Sequence, residues 1–562
     1  MKNPSYVHGT SGDTLLPLTV GECFDAVVTR CPDNNALVVP YQNVKWSYRE
    51  LGQQVDRVAA GFIALGLEPG ERVGIWAPNC WEWVVTQFAS AKAGLILVNI
   101  NPAYRLSELD YALTKVGCSA LITAPELKTS NYIEMLGELI PEIATSKEAK
   151  LQSDRFPDLR LLIRLGEQKS KGFLNFSDIA EAAQESDFHR LEALRSILQF
   201  DDPINVQFTS GTTGAPKAAT LTHHNIVNNA WFVGRQMELS DDDRMCIPVP
   251  MYHCFGMVLG TLCCVAHGAS MVFSSAGFDP AEVLKTVSEE QCTVLHGVPT
   301  MFIAELDNPE FAQFDLSCLR TGIMAGAPCP VELMKRVMEE MHLTEITIAY
   351  GMTETGPVSF QTSVNDPVDR RVTTVGRVLP HIEIKIVDDD GCIVPRGTSG
   401  ELLTRGYCVM PGYWNDPERT AKAIDEAHWI ASGDVATIDE EGYCQIVGRT
   451  KDMLIRGGEN IFPREIEEYL YQHPKIEQAE VIGVPDAKYG EQVCAWIKLR
   501  EGETATADEI QAFCKEKIAY FKIPQHIKFV DTFPLTVTGK VQKYIMREQM
   551  AEELAGDQRK TA

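Results

Sequence analysis

QFTSGTTGAPKAATLTHHN occupies residues 207–225. Its first half gathers four hydroxyl side chains (Thr209, Ser210, Thr212 and Thr213), the glycines Gly211 and Gly214, and Lys217. Glycine reaches the left-handed region freely, so successive backbone N–H groups can turn into one concavity that holds an anion. The hydroxyls add donors and the lysine adds a point charge. That chemistry points to phosphate, although composition alone leaves a plain surface loop equally open. The stretch is not the P-loop of nucleotide triphosphatases. That motif needs glycine before its lysine and Ser or Thr after it. Here Pro216 precedes Lys217 and Ala218 follows it.

On both sides of this loop, short apolar runs alternate with helical periodicities. Tyr48, Leu51, Val55, Val58, Phe62 and Leu65 recur at helical spacing. RVGIWA (72–77) then reads as a strand, WEWVVTQFASAKA (81–93) as a helix and GLILV (94–98) as a strand. Residues 107–116 read as a helix, and SALIT (119–123) and LRLLIRLG (159–166) as strands. Beyond the loop, apolar runs at 269–275, 292–299, 319–328 and 345–351 each end in Gly, Pro or Ser. This alternation predicts an α/β fold, a large N-terminal domain of mostly parallel sheets covered by helices. Ligands of such sheets gather at the carboxyl ends of strands. Gly326, Ala327, Pro328, Tyr350 and Gly351 are placed there.

After about residue 373 the pattern becomes β-rich. IEIKIVDDDGCIVP (382–395) reads as a hairpin about its DG turn, and SGELLTRG (399–406) and GYCQIVGR (442–449) add strands. Near Arg449 the style changes again. Helices at 464–474 and 507–519 and strands at 478–486 and 491–499 predict a small α+β C-terminal domain. The boundary falls at Lys451, giving domains 1–450 and 451–562.

The formal charge of −26 argues against nucleic acid as a partner. No uncharged apolar run reaches the length of a membrane span, and the first residues lack the apolar core of a signal peptide. The sixteen cysteines include no C-x-x-C pair, and Cys263 and Cys264 lie in an apolar segment that reads as core. A cytoplasmic protein is expected. His223 and His224 have the look of a metal pair, but no third ligand stands near them in the chain.

Motifs further along answer what the loop holds. Tyr350-Gly351-Met352-Thr353-Glu354, SGELLTRG (399–406), ASGD (431–434), GRTKDMLIRGGENIFPREIE (448–467) and PLTVTGKVQK (534–543) follow the loop in order, the whole set spanning about 330 residues from residue 207. With the 207–225 loop they resemble the signature motifs of the adenylate-forming enzymes. RGYCVMPGYW (405–414) and FKIP (521–524) bring the chain nearest to medium-chain fatty acyl-CoA synthetases.

The resemblance implies an acid–thiol ligase working in two halves. A carboxylate attacks the α-phosphate of ATP to give acyl-AMP and pyrophosphate, and coenzyme A then displaces AMP. The loop from Thr209 to Lys217 would hold the β- and γ-phosphates. Ala218 departs from the glycine frequent there, a change small enough to tolerate. Glu354 would bind Mg²⁺, a hard cation suited to carboxylate oxygen. Thr353, beside Met352, would contact the α-phosphate. Tyr350 would cover adenine opposite Gly326, Ala327 and Pro328. Asp434 would accept from the ribose hydroxyls, with Arg449 beside it. Lys540, on a mobile loop, would donate to the oxygens where charge shifts. Lys451 matches the hinge about which the small domain turns between halves. Gly457 and Gly458 would then face the pantetheine tunnel, and His253 matches a gate between tunnel and acyl site.

The acyl pocket is drawn from His296, Val298, Thr300, Ile323 and Met324, beside His253, and carries no charge. That favours an apolar tail over a dicarboxylate or an amino acid. Two alternatives stay open: an aryl- or other carboxylate-CoA ligase, and an acyl-AMP ligase loading a separate carrier protein. Intact Lys217, Glu354, Asp434, Arg449 and Lys540 speak against a catalytically silent nucleotide binder. The expected partners are a carboxylic acid, ATP and CoA, and a homodimer is left open.

Overall fold

Several helices start at a residue whose side chain satisfies an orphan amide of the first turn. Tyr48–Ala64 begins at Ser47, whose hydroxyl accepts from the Glu50 amide while the Glu50 carboxylate accepts from the Ser47 amide at 2.8 Å. Trp81–Lys92 is buried on nearly every side, which is why its sequence is apolar all round. The computed structural model describes residues 3–209, 216–457, 459–486, 488–515, 517–536 and 539–561, with side chains as far as 554.

The described residues form two large sheets dominated by parallel pairs. The first runs in the order Leu174–Asn175, Leu161–Arg164, Ala120–Thr123, Arg72–Trp76, Ile96–Asn99, Pro203–Thr209, Lys217–Thr222, Gly412–Tyr413. Its last two strands join antiparallel. The second has Arg244–Cys246, Val294–Gly297, Thr321–Ala325 and Glu345–Gly351 as parallel central strands. Antiparallel strands close its two ends. Buried on both faces, these strands are continuous apolar runs rather than alternating ones.

A third sheet is antiparallel throughout: Tyr6–His8, Ile382–Val387, Gly400–Gly406, Ile430–Ile438 and Cys444–Arg449. The expected hairpin is present but short: the Asp388 amide donates to the Cys392 carbonyl at 2.9 Å and the Val394 amide to the Ile386 carbonyl at 3.0 Å, closing the chain about Gly391. Residues 388–395 form no second strand, only isolated bridges from Ile393 to Val387 and from Pro395 to Pro4. The Asp388 carboxylate accepts from the amides of Asp390 and Cys392 and rounds off the turn. The rest of that edge of Ile382–Val387 is covered by the N-terminal strand Tyr6–His8, paired with Glu383, Ile384 and Lys385.

The C-terminal sheet contains Glu459–Ile461, Leu454–Arg456, Gly490–Leu499 and Ile476–Asp486, with His526–Phe529 parallel to Gly490–Leu499. One contiguous core runs from Val20 to Cys444, whereas Leu454 and later residues build two separate clusters on the faces of this sheet. The apolar segment with Cys263 and Cys264 folds as a helix with a π-helical turn at Met257–Leu262, and both thiols are buried. Among the described residues no helix is long and apolar enough to cross a membrane.

Candidate active site

The second sheet delivers two chain reversals to one edge. Thr321–Ala325 ends immediately before Gly326, and Glu345–Gly351 ends where Thr353–Thr355 turns. Facing them is the end of the antiparallel sheet, where Asp434 and Arg449 sit directly opposite each other on neighbouring strands. The Arg449 Nε donates to Asp434 Oδ1 at 2.9 Å, and the Tyr350 hydroxyl donates to Asp434 Oδ2 at 2.6 Å. Burial and the Asp434 charge hold the Tyr350 hydroxyl far above its ordinary pKa, so it remains a donor. Asp434 is 6% exposed, so both of its oxygens are fixed in direction.

A second cluster stands at the mouth of the glycine-rich loop. Thr209 and Lys217 are paired across the strands that carry the loop. The Thr209 hydroxyl donates to Glu354 Oε1 at 3.2 Å, and the Tyr413 hydroxyl donates to the same oxygen at 3.0 Å. Lys217 Nζ approaches the Tyr413 hydroxyl at 3.4 Å and lies 5.0 Å from the ring centroid. Ala218 is buried within the strand, paired with Phe208, and its carbonyl accepts from the Trp414 amide. Thr353 is buried 3.6 Å from Cys254 Sγ, a thiol that burial pushes up to about 11. Gly351 admits no side chain, because a Cβ there would lie 2.0 Å from the Pro357 carbonyl oxygen.

Between these clusters the C-terminal unit inserts the Lys540 loop. The Gly539 carbonyl accepts from the Thr300 hydroxyl at 3.3 Å. A Cβ on Gly326 would meet Lys540 Cε at 3.5 Å. Burial pulls the Lys540 ammonium below its ordinary pKa, and the charges of Arg449, Asp434 and Glu354 all bear on it. The unit also docks through Arg464, whose guanidinium donates to the Ile446 carbonyl at 2.8 Å. A cation is thereby set between a carboxylate–guanidinium pair on one side and a hydroxyl-rich, lysine-bearing loop mouth on the other. That arrangement suits a nucleotide whose α-phosphate reacts.

Comparison with known proteins agrees with this geometry. Residues 24–414 match the AMP-binding enzyme family and residues 465–540 match the AMP-binding enzyme C-terminal domain. The chain belongs to the AMP-binding enzymes. It is 49% identical to a putative acyl-CoA synthetase, YngI, of Bacillus subtilis, over 96% of this chain and 98% of the relative. It is 47% identical to a mitochondrial medium-chain acyl-CoA ligase, ACSF2, of Danio rerio, over 98% of this chain and 91% of the relative. The crystal structure of an anthranilate CoA ligase, AuaEII, in complex with anthranoyl-AMP superposes with a TM-score of 0.84 at 27% identity. That match covers 97% of this chain and 99% of the other.

In this AMP-binding enzyme, Ser210, Gly211, Thr212, Thr213, Gly214 and Gly458 lie outside the described residues. Gly457 is described, at φ 59°, with its amide donating to the Tyr489 carbonyl at 2.8 Å. His253 caps the short helix Cys254–Gly256, its Nδ1 accepting from the Phe255 amide at 3.1 Å. Burial and the nearby Lys540 charge push His253 down to about 3, so the ring is neutral and carries its proton on Nε2. His296 is a strut: Nδ1 accepts from the Ile323 amide at 3.2 Å and Nε2 faces the Leu259 carbonyl at 3.1 Å. Val298 lies against the Lys540 loop, its Cγ2 3.1 Å from a Cβ placed on Gly539. Ile323 and Met324 are both fully buried. As neighbours on one strand they point to opposite faces, so they cannot both face one cavity. His223 is held by the Val20 amide, and no cluster of three metal-ligating side chains occurs among the described residues. Sequence reasoning passed over Tyr413 and Cys254. The signal for Tyr413 was its place in RGYCVMPGYW, which had marked only a family likeness.

Proposed function

We propose that this AMP-binding enzyme is a fatty acyl-CoA synthetase that activates a medium-chain fatty acid through acyl-AMP and passes the acyl group to coenzyme A. AMP and pyrophosphate are the other products. The observation that carries the reading is the seat of Lys540, within reach of the charges of both Asp434 and Glu354. Asp434, with Arg449 and Tyr350 on its two oxygens, fits a ribose and its adenine. Lys217, Thr209 and the loop between them fit the outer phosphates. Lys540 stabilises negative charge as it moves from the acid to the phosphate, the kind of preorganised donor whose loss costs roughly 10²–10³ in rate. Glu354 would hold Mg²⁺; a single carboxylate suits an ion that keeps waters and takes phosphate oxygens as its other ligands. When bound, Mg²⁺ neutralises charge on those oxygens.

The thiol step needs the Lys540 loop withdrawn. The separate C-terminal cores and the polar stretch about Lys451 support a small domain, residues 451–562, that turns as a body. Lys451 is the hinge, Gly457 and Gly458 border the incoming thiol, and neutral His253 gates the acyl side. The surroundings of Val298, Ile323 and Met324 carry no charge, which suits an alkyl chain. The name of the Danio rerio relative supports medium length. Sixteen free thiols support a reducing compartment, and we place the enzyme in the cytoplasm.

The test is release of AMP and pyrophosphate with ATP and Mg²⁺, with and without CoA, over acids from acetate to palmitate, benzoate and several amino acids. A CoA-dependent optimum at six to twelve carbons, on the order of medium-chain acids, is expected. An aryl optimum overturns the substrate. Release that stops at acyl-AMP whatever the CoA overturns the acceptor in favour of a carrier protein.

A further inference from the structure

Residues 410–414 bind both halves of the loop-mouth cluster. The Met410 amide donates to the Glu354 carbonyl at 2.9 Å, and the Trp414 amide donates to the Ala218 carbonyl at 2.8 Å. Gly412 and Tyr413 pair as a strand with Thr220 and Ala219, on the arm that follows Lys217. The Tyr413 amide donates to the Thr420 hydroxyl at 2.9 Å, which in turn donates to the Asp416 carbonyl at 2.8 Å. Lys115 reaches the Asn415 carbonyl at 3.1 Å and Tyr111 the Pro216 carbonyl at 3.0 Å, so the helix Leu106–Val116 braces the same region. On this frame the Tyr413 hydroxyl faces two opposite charges. It donates to Glu354 at 3.0 Å and receives Lys217 at 3.4 Å. Tyr413 is 7% exposed, so water does not take over either contact freely.

A hydroxyl has one proton to give and lone pairs to accept. Placed between an ammonium and a carboxylate it satisfies both while keeping them apart. Without it, the two charges can close into a direct, charge-assisted pair. Such a pair would withdraw both groups from a ligand that needs them separately.

We propose that Tyr413 is a positioning residue for the triphosphate end of the nucleotide, its hydroxyl acting as a spacer that keeps Lys217 and Glu354 available to ATP. The proposal rests on the reading of this site as an ATP-dependent acyl-activating centre. Tyr413 touches neither acid nor AMP in this scheme, so its effect is confined to the part of ATP beyond the α-phosphate.

Tyr413→Phe keeps the ring, the strand pairing and the approach of Lys217 to the ring face. Calorimetric titration of the full-length protein with ATP in excess Mg²⁺ and with AMP separates the cases. The expected result is an ATP affinity about tenfold weaker, the scale for a lost hydrogen bond to a charged group, with AMP affinity unchanged. The KM for ATP rises with it, the rate at saturating ATP changes little, and thioester formation from supplied acyl-AMP is untouched. Equal weakening of ATP and AMP overturns the proposal, as it would mean a packing role. An ATP affinity within twofold of the parent also overturns it. If the parent binds ATP but releases pyrophosphate with no acid, the acyl-activation reading fails. The ratio of ATP to AMP affinities still decides the role of Tyr413.

Discussion

Gly539→Ala tests whether the Lys540 loop docks where this structure places it. Gly539 has φ 77°, and a Cβ built there lies 2.8 Å from Thr300 Oγ1 and 3.1 Å from Val298 Cγ2. Thr300 is in the first turn of the helix Pro299–Leu306, and its hydroxyl is a short, stiff obstacle. The alanine carries two penalties. Its left-handed backbone costs about 1–2 kcal/mol, and that cost travels with the loop in every orientation. The overlap with Thr300 and Val298 costs about 1–3 kcal/mol, as for an added methyl in a packed core. That second penalty exists only while the loop is docked. It corresponds to a loss of about five- to 150-fold in acyl-AMP formation. The assay is ATP–pyrophosphate exchange with the best acid, set beside thioester formation from synthetic acyl-AMP and CoA. Exchange should fall within that range while the thiol step falls far less. Thr300→Ala removes the obstructing oxygen together with a hydrogen bond of 3.3 Å to the Gly539 carbonyl. The double variant should therefore be more active in exchange than additivity predicts, a coupling that only contacting residues show. Equal losses in the two half-reactions, or strict additivity, would refute the docking argument.

Other expectations follow from the same geometry. Asp434→Asn keeps the shape but removes the charge facing Tyr350 and Arg449. AMP affinity measured by titration should fall by about ten- to 100-fold, the worth of hydrogen bonds to a charged group. In the proposed first half-reaction Lys540 acts as a cation, and burial depresses its pKa below the ordinary 10.5. Activity in the first half-reaction is therefore full below the depressed value and is lost as pH rises through it, earlier than for an exposed lysine. Lys540→Arg should be slower yet lack this alkaline limb, since guanidinium does not deprotonate in that range. His253, held near 3, should contribute no acid limb between pH 5 and 8.

How much of this was readable before the structure depended on the distance over which each feature is decided. Strands buried on both faces declare themselves locally, so the run at 345–351 became the strand Glu345–Gly351 and the helix read at 107–116 became Leu106–Val116. Pairing does not declare itself. The hairpin read about the DG turn of residues 382–395 closes only as far as Val387 and Ile393. The remainder of the Ile382–Val387 edge pairs with Tyr6–His8, more than 370 residues away in the chain, which no local pattern announces. The site divides in the same way. Residues such as Asp434 and Lys540 stand in strings recognisable by chemistry and order. Tyr413 has no chemistry of its own to announce, and becomes meaningful only because strand register sets it beside Ala219 and so over Lys217. The same holds for His296. A histidine amid apolar residues near a binding site invites a ligand role, yet both ring nitrogens are taken by backbone groups 27 and 37 residues away in the chain. A motif names the groups that could meet the substrate, and sheet register decides which unannounced neighbours hold those groups in place. The Tyr413 variant changes such a neighbour, and the Gly539 variant changes the seat of Lys540, each leaving in place the side chains proposed to meet the nucleotide.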